Sequence, residues 1–515
     1  MKVFKKWLIG LILFSLLCSL DIFPGYAEEK ESYETFFDSS HVHSIDISMT
    51  DWEGFLRSAS KEEYGACDVT IDGETVCGVG IRAKGNGSLL AVSRMGSPRY
   101  SWKIEFDHFV KKQFFHGLDK MCLNNFMQDA TFMKETIVYS AMAAMDVPAP
   151  LCSYAFVTVN GEDFGLYQMV EAIEDSFLSR NFGGKEGKLY KPDSINVVGF
   201  IQEDFHPLQM MGELLKHVDL TAVLSTDWSK FRGMANGDFT QMYGDGSSFV
   251  AEENNPLAAL FPNITGVSDD LLLKYVDDRP ESYPKVFENA KSKVKEKDEL
   301  RLIAALKRLN AREDLEHTVS TDEVIRYFAV HNLFVNSDSY TGMSGHNYYL
   351  YERGGVLSML PWDYNLAFGT MMMKPDYAVN DPIDEPMAVK SDGNHPMFEW
   401  ITADPAYRQK YYSALEQTMA CLDYPVLIEE TDKMIAPYVE RDPTKFVTFE
   451  KYQESLTMLK MYLGRRLESV KGQIAGAIPS CKAGQKQFPE AAVSFEEIDL
   501  HLLGDVTMGM IPDNE

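Results

Sequence analysis

The stretch His331–Gly369, HNLFVNSDSYTGMSGHNYYLYERGGVLSMLPWDYNLAFG, decides how the rest of the chain is organised. It begins as the end of an apolar helix, crosses a polar turn and then alternates through two short strands. The turn carries four polar side chains, Asn336, Asp338, His346 and Asn347. The second strand is predicted to end on Asp363. Two carboxylates at the exits of neighbouring buried elements, with an amide-bearing loop between them, suit proton abstraction beside a bound cation.

Both acids also have a purely structural explanation. Asp338 stands between Asn336 and Ser339, a setting typical of a turn-forming residue. Asp363 follows Trp362 and is in the right place to hydrogen-bond a loop. His346 is interpreted as a hydrogen-bonding loop residue rather than as a catalyst.

Composition excludes some classes of function. The 515 residues are 45% apolar, enough to bury a substantial core in one large domain or a few smaller ones. A net charge of −28 argues against nucleic-acid binding, which needs basic patches. An anionic ligand must therefore be held by a local cluster of lysine or arginine, or through metal ions.

The N-terminus has the three parts of a secretory signal: lysines, an apolar run and small residues before a cleavage point. We interpret residues 1–27 as this signal, which predicts a secreted protein or one of the cell surface or envelope. The alternative is an uncleaved anchor helix, but the run is shorter than the ~20 residues that a membrane span needs. No stable membrane span is expected after removal of the signal.

Six cysteines follow the signal, an even number that permits disulfides in an exported chain. Cys67 and Cys77 flank the turn Asp72-Gly73, and a one-residue bulge would place them opposite each other. Isolated thiols are the alternative. No cluster with zinc-finger spacing is present in the sequence.

The order of predicted elements is strands, a helix, more strands and then helices, which indicates an α+β fold. Hairpins are predicted across Asp72-Gly73 and Asn160-Gly161. The glycine-rich basic segment between them, residues 82–88, is interpreted as a mobile turn. A strand over residues 100–106 carries Lys103. A helix from Asp129 to about residue 145 carries Glu135 off its apolar stripe, so that Glu135 is predicted to lie at the surface.

Several motifs together resemble the CotH kinase family, an atypical branch of the protein-kinase fold named for a spore-coat protein H. The motifs, in the family's order, are IRAKGNGSL (81–89), RYSWKIEFD (99–107), GLYQMVEAIEDSFL (165–178), KLYKPD (188–193), LLLKYVDDRPESY (271–283), VNSDSYTGMSGHNYYLY (335–351) and LPWDYNLAFG (360–369). The resemblance covers roughly residues 40–475. It implies a protein-kinase-like fold with two lobes and a helical C-terminal region.

The resemblance also implies roles for the N-terminal residues. The glycine-rich turn would cover the phosphates of ATP, with Arg82 and Lys84 neutralising charge. Lys103 would bind the α- and β-phosphates and be positioned by Glu135. Glu171 would lead into the segment that holds adenine. The alternative for Lys103 and Glu135 is a surface ion pair of small energetic consequence.

In the central stretch, the resemblance implies that Asp338 would accept the proton of the acceptor hydroxyl or would orient that hydroxyl. Asp363 would hold a divalent cation, Mg²⁺ or Mn²⁺, with Asn347 as a second ligand. The sequence departs from ordinary kinases, since it has neither a His-Arg-Asp nor an Asp-Phe-Gly triplet. Asn365 also stands where the motif can carry a second aspartate, which leaves one fewer carboxylate for the metal.

The predicted domains are a signal peptide (1–27), a β-rich N-terminal lobe (28–190), a C-terminal lobe with the catalytic loop and metal motif (191–400), a helical extension (401–482) and an acidic tail (483–515). The predicted function is transfer of the γ-phosphoryl of ATP to serine or threonine of secreted or surface proteins, such as those of a spore coat. The alternatives are a catalytically weak, kinase-like binding or structural protein of a coat or envelope, and an exported carbohydrate-active enzyme.

Overall fold

The computed structural model describes residues 32–184, 186–193, 267–342, 344–371, 373–389 and 394–504. The predicted signal and the last part of the predicted tail lie outside these residues. Within them the chain combines two sheets with helices, so the predicted α+β class is confirmed.

Seven strands close into a barrel: β1 Val42–Ser48, β2 Gly65–Ile71, β3 Glu74–Lys84, β4 Ser101–Glu105, β5 Lys120–Asn124, β6 Cys152–Val159 and β7 Glu162–Glu171. Their order is β1-β2-β3-β4-β5-β7-β6, and a parallel pairing of β1 with β6 completes the ring. Inward-facing residues alternate with outward-facing ones, so that Ile81, Trp102 and Ile104 are fully buried in the barrel core. Closure leaves the barrel without exposed strand edges.

The two predicted hairpins are confirmed. Asp72 and Gly73 between β2 and β3 both have positive φ, at 47° and 89°. Asn160 and Gly161 between β6 and β7 repeat the pattern at 52° and 83°. Aspartate, asparagine and glycine adopt this left-handed backbone more readily than other residues, which is why these dipeptides signalled the turns.

The glycine-rich segment is not the mobile turn that its composition suggests. Strand β3 continues to Lys84, because Ile81 and Ala83 still face the barrel core opposite β4. A helix begins at Gly87, so only Gly85 and Asn86 join strand to helix. Gly85 has φ 116°, and a Cβ there would lie 2.6 Å from Ser88 Oγ.

A second sheet contains the two strands predicted in the central stretch. Strands β8 Lys188–Tyr190, β9 Tyr348–Arg353 and β10 Val356–Pro361 pair antiparallel in the order β10-β9-β8. Strand β10 ends at Pro361, two residues earlier than predicted. Proline has no N–H to donate, and Asp363 has left-handed backbone with φ 61°, so the extended strand stops there.

The helices are α1 Trp52–Ser58, α2 Gly87–Arg94, α3 Lys134–Ala144, α4 Asp175–Phe182, α5 Pro284–Phe287, α6 Glu296–Ala311, α7 Thr321–Leu333, α8 Pro375–Asn380, α9 Pro396–Ala403, α10 Pro405–Ala420, α11 Tyr424–Arg441, α12 Phe449–Ile474 and α13 Lys482–Gln487. Short 3-10 turns occupy Tyr33–Phe37, Ala59–Lys61, Pro280–Ser282, Leu315–His317, Pro489–Ala491 and Leu500–Leu503. Among these described helices, none combines the length and the apolar character needed to cross a bilayer.

A buried ion pair joins the barrel to the C-terminal helices. Arg99, just before β4, donates from Nη1 to both carboxylate oxygens of Asp442, at 3.0 and 2.8 Å. Both side chains are fully buried. Gly165 makes room for the pair, since a Cβ there would lie 2.4 Å from Arg99 Nη1. Loss of either charge would leave the other unpaired in the core.

Helix α3 corrects the prediction for Glu135. Almost every residue of α3 is buried, including Lys134 and Glu135. The helix packs between β6 and α7, so that it is exposed only near its C-terminal end, at Ala143 and Ala144. Asp129 does not begin the helix, yet its carboxylate accepts from the N–H of Lys134 at 3.0 Å.

The predicted tail is a packed part of the fold up to Gly504. Leu500 and Leu503 are buried, and Leu503 O accepts from the N–H of Ala130 at 3.1 Å. The buried Lys134 ammonium donates to four oxygens: Gln128 O at 2.9 Å, Asn365 O at 3.0 Å, Thr370 Oγ1 at 2.9 Å and Gly504 O at 2.6 Å. One side chain therefore connects α3, the loop after Asp363 and the C-terminal segment.

The structure contains no Cys67–Cys77 disulfide. A bulge is present in β2, but it leaves Cys67 opposite Val79 and facing the barrel core, while Cys77 is exposed. Burial raises the pKa of the Cys67 thiol to about 12. We expect iodoacetamide to label Cys77 in the native protein and Cys67 only after unfolding. Mass spectrometry of a non-reduced digest should contain no peptide pair linked through these two residues; finding one would contradict the structure.

Candidate active site

The side chain of Asn336 joins the two segments that carry the predicted acids. Its Nδ2 donates to the backbone O of Asp363 at 3.1 Å, and its Oδ1 accepts from the backbone N–H of Asp338 at 3.3 Å. Asn336 is itself fully buried. The exit of α7 and the end of β10 are therefore held together by one amide, as the sequence predicted for two neighbouring buried elements.

Backbone strain is concentrated at this site. Val335, Asn347 and Asp363 have φ values of 49°, 56° and 61°. Asparagine and aspartate tolerate left-handed backbone, but a β-branched valine rarely adopts it. Val335 is held there by a hydrogen bond from Gly369 N–H to its carbonyl at 2.9 Å. Such strain is common where a fold positions functional groups.

Both oxygens of the Asp338 carboxylate have protein partners. Oδ1 lies 2.9 Å from His346 Nε2, and Oδ2 accepts from Asn347 Nδ2 at 3.0 Å. Burial alone would raise the pKa of Asp338, but the charge and hydrogen bond of His346 lower it below its usual range. Asp338 is thus an ionised carboxylate with a fixed orientation. Because its pKa is low, it is better suited to position a hydroxyl group than to keep a proton taken from that hydroxyl.

His346 lies between two acids. Its Nδ1 is 3.2 Å from Asp193 Oδ1, opposite the contact with Asp338, and Asp193 also pairs with Lys191 at 3.3 Å. Burial opposes a charged imidazole, yet Asp338 and Asp193 together raise the pKa of His346 to about 10. His346 is therefore an imidazolium at neutral pH. His346 is thus the hydrogen-bonding loop residue that the sequence predicted, with Asp338 and Asp193 as its partners. Sequence reasoning missed Asp193, although the KLYKPD motif that ends on it was a usable signal.

Lys84 and Glu135 are linked through Asn124. Lys84 Nζ donates to Asn124 Oδ1 at 2.7 Å, and Asn124 Nδ2 donates to Glu135 Oε2 at 2.6 Å. Lys84 also lies over the ring of Trp362, 5.5 Å from its centroid. This series of hydrogen bonds brings the end of β3, the end of β5 and α3 close to Trp362, the residue before Asp363.

The Glu135 carboxylate is buried, the Asp363 carboxylate is half-buried, and the two influence each other. Burial and the charge of Asp363 raise the pKa of Glu135 to about 7. Burial also raises the pKa of Asp363, while Lys84 lowers it and Asp338 raises it. Two carboxylates in one poorly solvated site disfavour double ionisation, which a bound cation would relieve.

The predicted pairing of Lys103 with Glu135 is not formed. Lys103 Nζ and Lys120 Nζ each lie 2.5 Å from one oxygen of Glu174, in the turn before α4. Lys103 is opposite Arg82 in the sheet, whereas Lys84 stands two residues further toward the end of β3 and reaches Asn124. The register of β3 against β4 thus makes Lys84, not Lys103, the lysine connected to Glu135.

Arg82 and Glu171 have partners elsewhere on the barrel. Arg82 Nη1 pairs with Glu62 at 2.6 Å, and its guanidinium lies over the ring of Tyr64. Glu171 accepts from Tyr33 Oη at 2.7 Å and pairs with Arg180 at 2.5 Å. The structure therefore does not bring either residue into contact with Asp338, Asp363 or Glu135.

The donor set fits a divalent cation of the Mg²⁺ or Mn²⁺ type. Among the described side chains, none donates a hydrogen bond to the Asp363 carboxylate. The hydrogen bonds of Asp363 are formed by its backbone N–H and carbonyl. Asn347 donates its nitrogen to Asp338, which leaves its Oδ1 oxygen as a potential ligand. Oxygen ligands of this kind are those that Mg²⁺ prefers. Asn365 Nδ2 lies 3.4 Å from Met127 O.

Replacing Glu174 with glutamine should destabilise the protein. Burial alone would raise the pKa of Glu174, but Lys103 and Lys120 outweigh it and lower the pKa to about 2. Since this folded-state pKa is below that of an unfolded glutamate, the stabilisation is complete above about pH 4.5 and is lost as the pH falls toward 2. We expect a loss on the order of 2 kcal/mol at pH 7, measured by urea unfolding.

The matched control for Glu174→Gln is Glu429→Gln, which removes an exposed glutamate–lysine pair with Lys460. Solvent screens that pair, so its loss should change stability little. The stabilising role of Glu174 would be contradicted if Glu174→Gln lowered the free energy of unfolding no more than the control does. It would also be contradicted if the loss of stability grew as the pH fell below 4.5.

Comparison with known proteins identifies the family of the chain. A family profile described as "CotH kinase protein" matches residues 81–243 and 245–470, which is most of the chain. The chain belongs to this family. One relative is "Inner spore coat protein H" of Bacillus subtilis (strain 168), which is 20% identical over 378 residues. That similarity covers 71% of this chain and 82% of the relative.

Proposed function

We propose that the chain is a kinase that transfers the γ-phosphoryl group of ATP to serine or threonine hydroxyls of secreted or surface proteins. The observation that carries the proposal is the joining of Asp338 and Asp363 through Asn336, with the Lys84–Asn124–Glu135 chain ending beside them. Barrel residues meet residues from the helical part of the chain at this site, as nucleotide-binding residues from two lobes do in a protein-kinase-like fold.

Phosphoryl transfer asks mainly for positioning and charge stabilisation, because the transferred group is already charged. Asp338 orients the acceptor hydroxyl while His346 and Asn347 hold its carboxylate in place. Lys84 supplies positive charge to phosphate oxygens, and Asn124 and Glu135 fix its position. Lys191 adds positive charge that acts on Asp363, whereas Lys103 and Lys120 pair with Glu174. Arg82 and Glu171 support the barrel.

Asp363 and Asn347 would hold Mg²⁺ or Mn²⁺, which supplies charge neutralisation for the phosphates of ATP when bound. Glu135 adds a second carboxylate close to Asp363. This proximity compensates for Asn365, which stands where a second aspartate could have stood.

The acceptor class follows from the relative. That protein is described as an inner spore coat protein, so we propose coat or envelope proteins as the acceptors and the coat or cell surface as the location. Serine- and threonine-rich coat extracts are therefore the acceptor to use first.

The test is incubation of the purified protein with γ-labelled ATP, Mg²⁺ or Mn²⁺, and a coat-protein extract. We expect label in protein that depends on the divalent cation and is abolished by EDTA, with phosphoserine or phosphothreonine in the digest. Absence of transfer under all these conditions would overturn the proposal.

The alternative is a kinase-like binding protein without significant transfer. The observation that favours it is the full engagement of the Asp338 oxygens by His346 and Asn347. Stabilisation of the fold by ATP, without label in any protein, would support this alternative.

A further inference from the structure

Two histidines and an aspartate converge at one end of the barrel, outside the site described above. His41 and His43 stand at the start of β1, and because they are two residues apart in extended chain, their side chains share a face. Asp72 lies in the β2–β3 turn. One nitrogen or oxygen atom from each of the three residues lies within 4.8 Å of the others.

The surrounding protein forms hydrogen bonds with one ring nitrogen of His43 and one carboxylate oxygen of Asp72. His43 Nε2 lies 2.9 Å from the carbonyl oxygen of Asp38, which can only accept, so Nε2 carries the hydrogen. Asp72 Oδ1 accepts from the N–H and the hydroxyl of Ser44 at 2.8 and 3.2 Å. Histidines that bind metals are commonly oriented by such a bond from the other ring nitrogen to a carbonyl.

The inner atoms face each other. His43 Nδ1 and Asp72 Oδ2 share a hydrogen bond at 2.6 Å, and a metal ion would take the place of the hydrogen between them. His41 completes the group: its ring centroid is 4.2 Å from that of His43, and its Nδ1 is 3.6 Å from the carboxylate of Asp38. Its side chain is about half exposed, which gives an ion a path from solvent.

We propose that His41, His43 and Asp72 bind a divalent transition-metal ion of the Zn²⁺ class. Two imidazoles and one carboxylate are the ligands that suit zinc, nickel or copper, whereas Mg²⁺ and Ca²⁺ prefer oxygen ligands throughout. Metal–ligand distances of about 2.0–2.2 Å require the 2.6 Å contact to open by several tenths of an ångström. A small movement of the exposed His41 ring brings in the third ligand, and water or Asp38 fills the fourth position.

This metal would act on structure rather than on phosphoryl transfer. It would connect the start of β1 to the β2–β3 turn, and through Asp38 to β6, since the Asp38 carbonyl also accepts from Ser153 Oγ at 3.0 Å. Its nitrogen-rich ligand set distinguishes it from the oxygen ligands Asp363 and Asn347. The inference therefore stands apart from the proposed kinase function.

The test is Zn²⁺ binding by protein purified after export and treated with EDTA. We expect equilibrium dialysis with metal analysis to give one tightly bound Zn²⁺ per chain, with a rise in Tm that saturates at one equivalent. His41→Ala and Asp72→Asn should each weaken binding by at least about tenfold. Asparagine keeps the left-handed turn at residue 72, and residue 41 is exposed, so both variants retain the fold.

The matched control is His317→Ala, which removes an exposed histidine in a comparable contact with an aspartate, 2.7 Å from Asp314. It should leave Zn²⁺ binding unchanged. The proposal would be overturned if the native protein bound Zn²⁺ no more tightly than His41→Ala does. It would also be overturned if His317→Ala lost as much Zn²⁺ affinity as His41→Ala. A Mg²⁺-induced Tm rise as large as that of Zn²⁺ and lost in His41→Ala would also overturn it, because Mg²⁺ prefers oxygen ligands.

Discussion

Replacing Asp363 with alanine should reduce phosphoryl transfer by about a hundredfold to a thousandfold or more, the range found when one charge-stabilising group is removed from an active site. The same variant should be as stable as the native protein or more stable. Burial and like-charge repulsion raise the pKa values of Asp363 and Glu135, so that removal of one carboxylate relieves an unfavourable interaction. Loss of transfer with gain of Tm is the expected signature.

The variant Asp338→Ala should differ from Asp363→Ala in its effect on stability. It should also abolish most of the transfer, but it should lower Tm, because it leaves the His346 imidazolium and Asn347 without the carboxylate that they contact. The matched control is Asp278→Ala, an exposed aspartate paired with Lys307, which should change neither transfer nor stability noticeably. Native-level transfer by either active-site variant would remove these residues from the mechanism.

Replacing Lys134 with methionine should destabilise the protein by roughly 3–5 kcal/mol. Methionine has a similar shape, but it leaves buried oxygens of Gln128, Asn365, Thr370 and Gly504 without their shared donor. It also removes the positive charge that lowers the pKa of the buried Asp129 against the larger effect of burial. Chemical denaturation monitored by tryptophan fluorescence measures the loss.

Lys307→Met is the control for this variant, since it removes an exposed lysine whose partner is Asp278. Because Asn365 lies two residues after Asp363, Lys134→Met should also lower transfer at temperatures where the variant remains folded. A variant with native stability would show that the four contacts do not hold the loop and the C-terminal segment together.

Local signals in the sequence were enough for much of the fold. The Asp-Gly and Asn-Gly turns predicted two hairpins of the barrel, because few residues other than asparagine, aspartate and glycine accept left-handed backbone. The stretch after residue 331 predicted that Asp338 and Asp363 follow neighbouring buried elements, and the side chain of Asn336 joins the two segments. These features depend on neighbours in the chain, which the sequence shows directly.

Features that depend on distant pairing were not predictable in the same way. The parallel pairing of β1 with β6 that closes the barrel joins residues such as Ile45 and Val157, far apart in the chain. The choice of Lys84 over Lys103 depends on how β3 and β4 align, and the burial of Glu135 depends on packing by α7. Asp193 lies after β8 and is 153 residues from His346, so the KLYKPD motif could mark Asp193 but not its partner.

The position of Gly504, 370 residues after Lys134, has a consequence for the order in which contacts form during synthesis. Its carbonyl accepts from the same ammonium that holds the loop beside Asp363. The ribosome adds Gly504 long after Lys134, so the loop receives this support only once the intervening residues have been synthesised. A nascent chain that has not yet reached Gly504 therefore lacks this contact, and the loop beside Asp363 is held by all its partners only afterwards.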